Sequence, residues 1–310
     1  MAIPLPRPED VLLAHQLRSR AAERPDEVMV TFEDDPPWTR RDALEFASGA
    51  AAGLRAAGVR QGDVVAVVGD NGPDFLRAWF GTALLGATLL PVNPAYRGTL
   101  LTRVFTLGSP TAIVAQPDVL HALAGQDIQA VAQAVGVVPE DLDQRSADAP
   151  ETERPPGLQD PAVLLMTSGT TGPSKLAVNT AWHTYLGGAW FVADAGRGRE
   201  DVLLLDLPLF HGAALWFGTA AVVTGTRLVV RSAPALRNYW EVARDNEVTM
   251  ALLLSTMVPF LLQQEPRPAE REHRIRVMCA APLPQDITPR IVEMLAPGYA
   301  RNETIINFQK

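Results

Sequence analysis

Short apolar runs alternate along this chain with longer stretches whose apolar positions recur at helical spacing. The runs Val64–Val68, Thr88–Val92, Thr111–Ala115, Ala162–Met166, Val202–Leu205, Arg227–Arg231, Thr249–Leu254, Ile275–Cys279 and Thr304–Phe308 read as buried strands. Between them, helical spacing predicts Leu12–Ala22, a helix capped by Thr39 that carries Leu44, Ala47, Leu54 and Ala57 as far as Gly58, and one opened by Asn71-Gly72-Pro73 that runs to Leu85. Further helices are expected over Thr99–Leu107, Trp182–Ala195, Gly212–Val223, Ala235–Asn246, Thr256–Gln263 and Ile287–Leu295. Strand, helix, strand with short links is a βαβ unit, so the fold class is α/β with sheets at least partly parallel. From Ala134 to Leu158 polar residues and prolines dominate, and this span reads as a solvated connector. With 310 residues the chain exceeds what one core usually serves, so two mixed α/β subdomains are expected, 1–157 and 158–310.

One stretch carries chemistry on its face. The strand Ala162–Met166 empties into Thr167-Ser168-Gly169-Thr170-Thr171-Gly172-Pro173-Ser174-Lys175. Glycines let backbone N–H groups turn inward around an anion, the hydroxyls add donors, and Lys175 brings a full positive charge to the same concavity. Such a bend suits a polyphosphate, where positioning and charge neutralisation do most of the catalysis. A Gly/Ser/Thr cluster is also the ordinary composition of a connecting loop. The Walker A spacing is not met by Gly169, Gly172 and Lys175.

Two further segments close strands in the same style. Leu207-Pro208-Leu209-Phe210-His211-Gly212 sets a histidine at the carboxyl end of a strand, where open α/β sheets bind ligands. Taken alone, such a histidine is more often structural. The helix behind it, with Leu215, Trp216, Phe217 and Ala220, reads equally as pocket wall or plain core. Met278-Cys279-Ala280-Ala281-Pro282-Leu283-Pro284 ends a strand in small residues, which let a flat ring approach the backbone.

Bulk properties narrow the classes. A net charge of −8 and a pI near 5.2 argue against a nucleic-acid surface or an anionic membrane. The single cysteine, Cys279, permits no internal disulfide and suits a reducing cytoplasm. The longest apolar stretch, Trp79 to Val92, is interrupted by Gly, Thr and Pro and is too short to span a bilayer.

In order and spacing, Thr167–Lys175, the Pro208–His211 segment and Ala280-Ala281-Pro282 resemble three motifs of the acyl-adenylate-forming superfamily: acyl-CoA synthetases, nonribosomal peptide adenylation domains and luciferases. Gly58–Ala66 and Leu85–Pro94 are similar to its early structural signatures, so the resemblance covers the chain from about Trp38 onward. It implies the two-subdomain N-terminal domain of such an enzyme. It implies ATP/AMP, Mg²⁺ and coenzyme A as cofactors, with Thr167, Ser168, Gly169, Thr170, Thr171, Gly172 and Lys175 on the phosphates. Ala280, Ala281, Pro282 and Phe308 would face adenine, and His211, Trp216, Ala281 and Gln309 the acyl group. Lys175 and His211 stand where the family's chemistry acts. The implied reaction is acyl-AMP formation from a carboxylic acid and ATP, then transfer to coenzyme A.

The sequence departs from the family pattern in places. Leu176 stands where a glycine is usual, Ala280 replaces a glycine, and Gln309 puts a side chain where a glycine normally lies beside the nucleotide. No Thr-Glu follows Phe308, and the ribose-binding Asp, the hinge and the lysine of the small C-terminal lid domain are absent, so the chain is expected to be part of a longer synthetase that is inactive alone. Three alternatives stay open. They are a homologue performing only the thioester step, an adenylation domain loading a carrier protein, and a nucleotide-binding module without chemistry. The expected partners are a small carboxylic acid and coenzyme A or a carrier protein, with a homodimer possible.

Overall fold

In the computed structural model, which describes residues 6–167, 174–193, 200–234, 236–254, 256–265, 267–281 and 305–307, helices and strands alternate along the chain. Helix α1 is Leu13–Glu23, and a short antiparallel pair follows, β1 (Val28–Phe32) and β2 (Trp38–Thr39). Thr39 caps α2 (Arg40–Ala56) through a reciprocal box: its Oγ1 accepts from Asp42 N at 3.1 Å, and Asp42 Oδ2 accepts from Thr39 N at 2.8 Å. Then come β3 (Val64–Val68), α3 (Pro73–Leu84), β4 (Thr88–Val92), α4 (Gly98–Gly108), β5 (Ala112–Ala115), α5 (Pro117–Ala124), α6 (Gln129–Gln133) and β6 (Val135–Val137). The hairpin β7 (Pro161–Met166) and β8 (Leu176–Thr180) leads into α7 (Ala181–Ala193). The remainder is β9 (Val202–Leu205), α8 (Gly212–Thr224), β10 (Arg227–Val230), α9 (Tyr239–Asp245), β11 (Met250–Leu254), α10 (Val258–Leu262), α11 (Ala269–Glu272), β12 (Val277–Ala281) and β13 (Ile305–Asn307).

Among the described residues the strands form two sheets, in the orders β6-β5-β3-β4-β7-β8 and β13-β12-β11-β9-β10-β1-β2. All pairings are parallel except β7 with β8 and β1 with β2. The first sheet buries both faces, with successive residues pointing to opposite sides. Val65, Val67, Ala112 and Val114 join a core shared with the second sheet and with α2, α3 and α8. Ala66, Val68, Ile113 and Ala115 pack beneath α4, with Leu123 of α5 and Val131 of α6.

The α/β class stands, but three expectations change. The boundary between 157 and 158 does not divide the sheets, because β7 and β8 extend the first sheet while β1 and β2 join the second. The span 134–158 is not a free connector: β6 pairs with β5, Leu142 is fully buried, and Arg145 pairs with Asp42 and Glu45 of α2. Its polar side chains bond back onto the domain, which composition cannot distinguish from solvation. The helix expected over Ala235–Asn246 contracts to α9 behind a 3₁₀ turn at Leu236–Asn238. The helix expected at Ile287–Leu295 lies outside the described residues.

Candidate active site

The phosphate-type bend sits on the β7–β8 hairpin, where Met166 pairs with Leu176. Thr167 N donates to the Lys175 carbonyl at 2.8 Å, and Lys175 N donates to Thr167 Oγ1 at 3.1 Å. This pair closes the base of the bend and leaves both residues exposed. Arg103, on α4, donates its Nε to the Ser174 carbonyl just before the hairpin resumes. Among the described residues neither Arg103 nor Lys175 forms an ion pair with a carboxylate. Ser168, Gly169, Thr170, Thr171, Gly172 and Pro173 lie outside the described residues.

His211 stands at the N-terminus of α8, reached from β9 through Asp206–Phe210. The His211 N–H donates to the Pro208 carbonyl at 3.0 Å, and the His211 carbonyl accepts from Ala214 N and Leu215 N, which turns the chain into the helix. The imidazole makes no cap bond. Its ring lies 4.7 Å from that of Phe210 at 57°, and partial burial holds its pKa below the ordinary histidine value, so it is neutral at pH 7. At the other end of α8, Arg20 donates to Val223 O and Arg40 to Gly225 O, each at 2.6 Å, which anchors the helix that presents His211.

Two glycines bring these parts together. A Cβ on Gly212 would stand 2.8 Å from Leu165 Cδ1, so the start of α8 lies directly against the strand that feeds the bend. A Cβ on Gly187 of α7 would stand 2.5 Å from Trp216 Cγ, and the far edge of the same indole reaches towards Gly212. Trp216 therefore fills the seam between α7 and α8. It also borders an apolar groove of about 720 Å³ lined by Ala177, Val178, Trp182, Leu186 and Trp190.

The small-residue segment is at the matching edge of the second sheet. Ala280 and Ala281 end β12 opposite Leu253 and Leu254 of β11, and β9 runs parallel beside β11, so the exits of β9, β11 and β12 share one edge. Asn307 of β13 pairs with Ala280, which brings the chain to that edge immediately before Phe308. Pro282, Phe308 and Gln309 themselves lie outside the described residues.

The family model for AMP-binding enzymes matches residues 17–308. The chain belongs to that family. The chain is 31% identical over 279 residues to the medium/long-chain-fatty-acid–CoA ligase FadD6 of Mycobacterium tuberculosis, a match covering 87% of the chain and 46% of the relative. Mouse long-chain fatty acid transport protein 6 is 27% identical over 300 residues, 91% of this chain and 48% of that protein. The chain thus spans about half the length of the curated relatives it matches. In fold it is similar to the N-terminal domain of FACL13 from M. tuberculosis, with a TM-score of 0.80 at 23% identity over 92% of this chain and 72% of that one.

Sequence reasoning missed three residues that shape this candidate site. Arg103 was one charge in a helix whose Leu101, Val104 and Phe105 are buried; its position opposite that apolar face was the available signal. Gly187 gave none beyond being a glycine inside a predicted helix. Asn71 reads from sequence only as a helix opener, whereas its side chain is buried and makes three hydrogen bonds. No described helix is long and apolar enough to cross a membrane.

Proposed function

We propose that this chain is the nucleotide-gripping part of an ATP-dependent carboxylate–CoA ligase acting on an alkyl acid. The observation that carries the reading is the Thr167–Lys175 closure of the bend, set beside the His211-bearing helix by the contact of Leu165 with Gly212. In this reading Thr167, Ser168, Thr170 and Thr171 donate to the β- and γ-phosphates, Gly169 and Gly172 offer backbone N–H groups, and Lys175 neutralises charge. A substrate carboxylate oxygen bonds to the α-phosphorus as the bond to the bridging oxygen breaks, and pyrophosphate leaves with the electron pair. The bend holds that leaving group and so lowers the barrier where charge develops.

Magnesium would enter with ATP, since this ion is usually held by substrate phosphates and waters with one or two carboxylates. Adenine would lie against Ala280, Ala281, Pro282 and Phe308, with Gln309 beside the acyl group. Neutral His211 and Trp216 would line the acyl side, and a thiol, coenzyme A in the leading form, then takes the acyl group while AMP leaves. The names of the relatives, fatty-acid ligases and transport proteins, and the apolar surroundings of Trp216 favour an aliphatic chain over an amino acid.

Thermal unfolding with MgATP and with acyl-sulfamoyl-adenosines of different acyl groups tests this. A ligand held only by the folded state stabilises by about 2.7 kcal/mol at one hundred times its Kd. The proposal expects a rise with MgATP and a larger one with a medium-chain acyl analogue. No rise with any adenylate would reject it.

A further inference from the structure

Asn71 lies in the loop between β3 and α3, two elements of the first sheet's layer, yet its side chain bonds only to the second sheet. Its Nδ2 donates to Leu207 O at 2.9 Å and to Arg231 O at 3.1 Å, and its Oδ1 accepts from Leu209 N at 2.8 Å. The side chain is buried, and both its amide protons and its carbonyl oxygen have partners within the protein.

The pattern is specific. In an extended strand the carbonyl of one residue and the N–H of the residue two further on point to the same side, and a parallel neighbour binds both. The carboxamide of Asn71 occupies that neighbour's place opposite Pro208. The true ladder between β9 and β10 ends at the bond from Arg231 N to Leu205 O at 3.0 Å, after which the two strands diverge. Asn71 fills the gap by bridging Leu207 and Arg231. The chain then turns through the bond from His211 N to Pro208 O, so the last fixed point before His211 is Leu209, held by Asn71.

We infer that Asn71 is a positioning residue for His211, acting as one surrogate ladder step that fixes the Leu207–Leu209 segment and hence where the imidazole stands beside the reacting acyl group. The catalytic meaning of that placement rests on the function proposed above; the placement itself does not. Only a carboxamide of this length supplies the two donors and the acceptor together. Asn71→Asp keeps shape and acceptor but points an anion at two carbonyls, and Asn71→Ala removes all three bonds.

The test compares the 310-residue chain with Asn71→Asp and Asn71→Ala. Hydrogen exchange at the Leu209 amide is expected to be slow in the parent chain and at least tenfold faster in both variants. By NMR the His211 imidazole should shift and change its pKa, while His15, His121, His183 and His273 stay in place; His211→Gln assigns the signal. With 5′-O-(N-decanoylsulfamoyl)adenosine as probe, affinity should fall about tenfold, with MgATP affinity changed less than threefold. Unaltered Leu209 exchange and His211 signals in folded variants would overturn the proposal. So would unprotected exchange of Leu209 in the parent chain, a result that needs no variant. If the parent chain binds neither probe, the ligase reading fails while exchange and titration still decide the role of Asn71.

Discussion

Gly187→Ala isolates the seam that places Trp216. In an ordinary helix interior this change is favourable by about 0.8–1.0 kcal/mol, since alanine loses less backbone entropy. Here the new methyl would stand 2.5 Å from Trp216 Cγ and 2.8 Å from both Cδ1 and Cδ2. Carbon atoms rest at about 3.5–4.0 Å, so α7 and α8 must part by about 1 Å or the indole must leave the seam. A rigid ring offers no rotamer that relieves three such contacts at once, and overpacking of this kind costs about 1–3 kcal/mol. The overlap term exceeds the helix gain, so the net expectation is a loss of about 1 kcal/mol. Urea unfolding of the parent chain, Gly187→Ala, Trp216→Ala and the double variant measures each term. Removing the indole abolishes the overlap, so in that background Gly187→Ala should stabilise, and the cycle should give a coupling of about 1–3 kcal/mol. Stabilisation by Gly187→Ala in the parent background, with no coupling to Trp216, would refute the packing described for this seam.

Three further outcomes follow from the geometry. His273 is buried, stacks on Trp240 at 4.9 Å, and accepts from Ile275 N through Nδ1; burial lowers its pKa from 6.5 to about 4. The unfolded chain therefore takes up this proton first, and the contribution is intact above pH 6.5 and lost as pH falls towards 4, about 3 kcal/mol in all; His273→Asn, which keeps an acceptor, should flatten that limb of a stability–pH curve, and an unchanged curve would contradict the assignment. Asp201 receives Arg276 Nε at 3.0 Å, a second contact from its Nη2, and the Thr249 hydroxyl at 2.7 Å, which joins the starts of β9, β11 and β12. Asp201→Ala should cost about 3 kcal/mol in chemical denaturation, and a loss under 1 kcal/mol would count against a buried pair. Thr39→Ala removes one half of the box on α2 and should cost about 1 kcal/mol by the same method.

Long βαβ units were legible because their signals agree: β3, α3 and β4 lie within a residue of where periodicity, Gly72-Pro73 and Gly86 put them. Strands whose stability comes from a distant partner were not. Val28–Phe32 sits between acidic and proline-rich stretches, and it is a strand because β10, some two hundred residues on, pairs with it. Leu176–Thr180 is held by antiparallel pairing with β7 and closes the very bend the motif singled out, but only the tertiary fold makes it a strand. The same limit applies to the site. Lys175 and His211 were chosen by residue type and order, whereas Arg103, Asn71 and Gly187 act through backbone carbonyls or through the lack of a side chain, and neither leaves a pattern along the chain.

In the function proposed above, the hairpin closed by Thr167 and Lys175 grips a triphosphate. Titrating the chain with MgATP while observing the nucleotide by ³¹P NMR addresses it most directly, in parallel with Lys175→Ala. Charge-assisted hydrogen bonds are worth about 1.5–3 kcal/mol, so the variant should bind roughly ten to a hundred times more weakly while Thr167 N stays protected from exchange. The β- and γ-phosphorus signals should broaden or shift more than the α signal in the parent chain and return to their free positions in the variant. Equal ATP affinity in the two proteins, or a response confined to the α-phosphorus, would contradict the account.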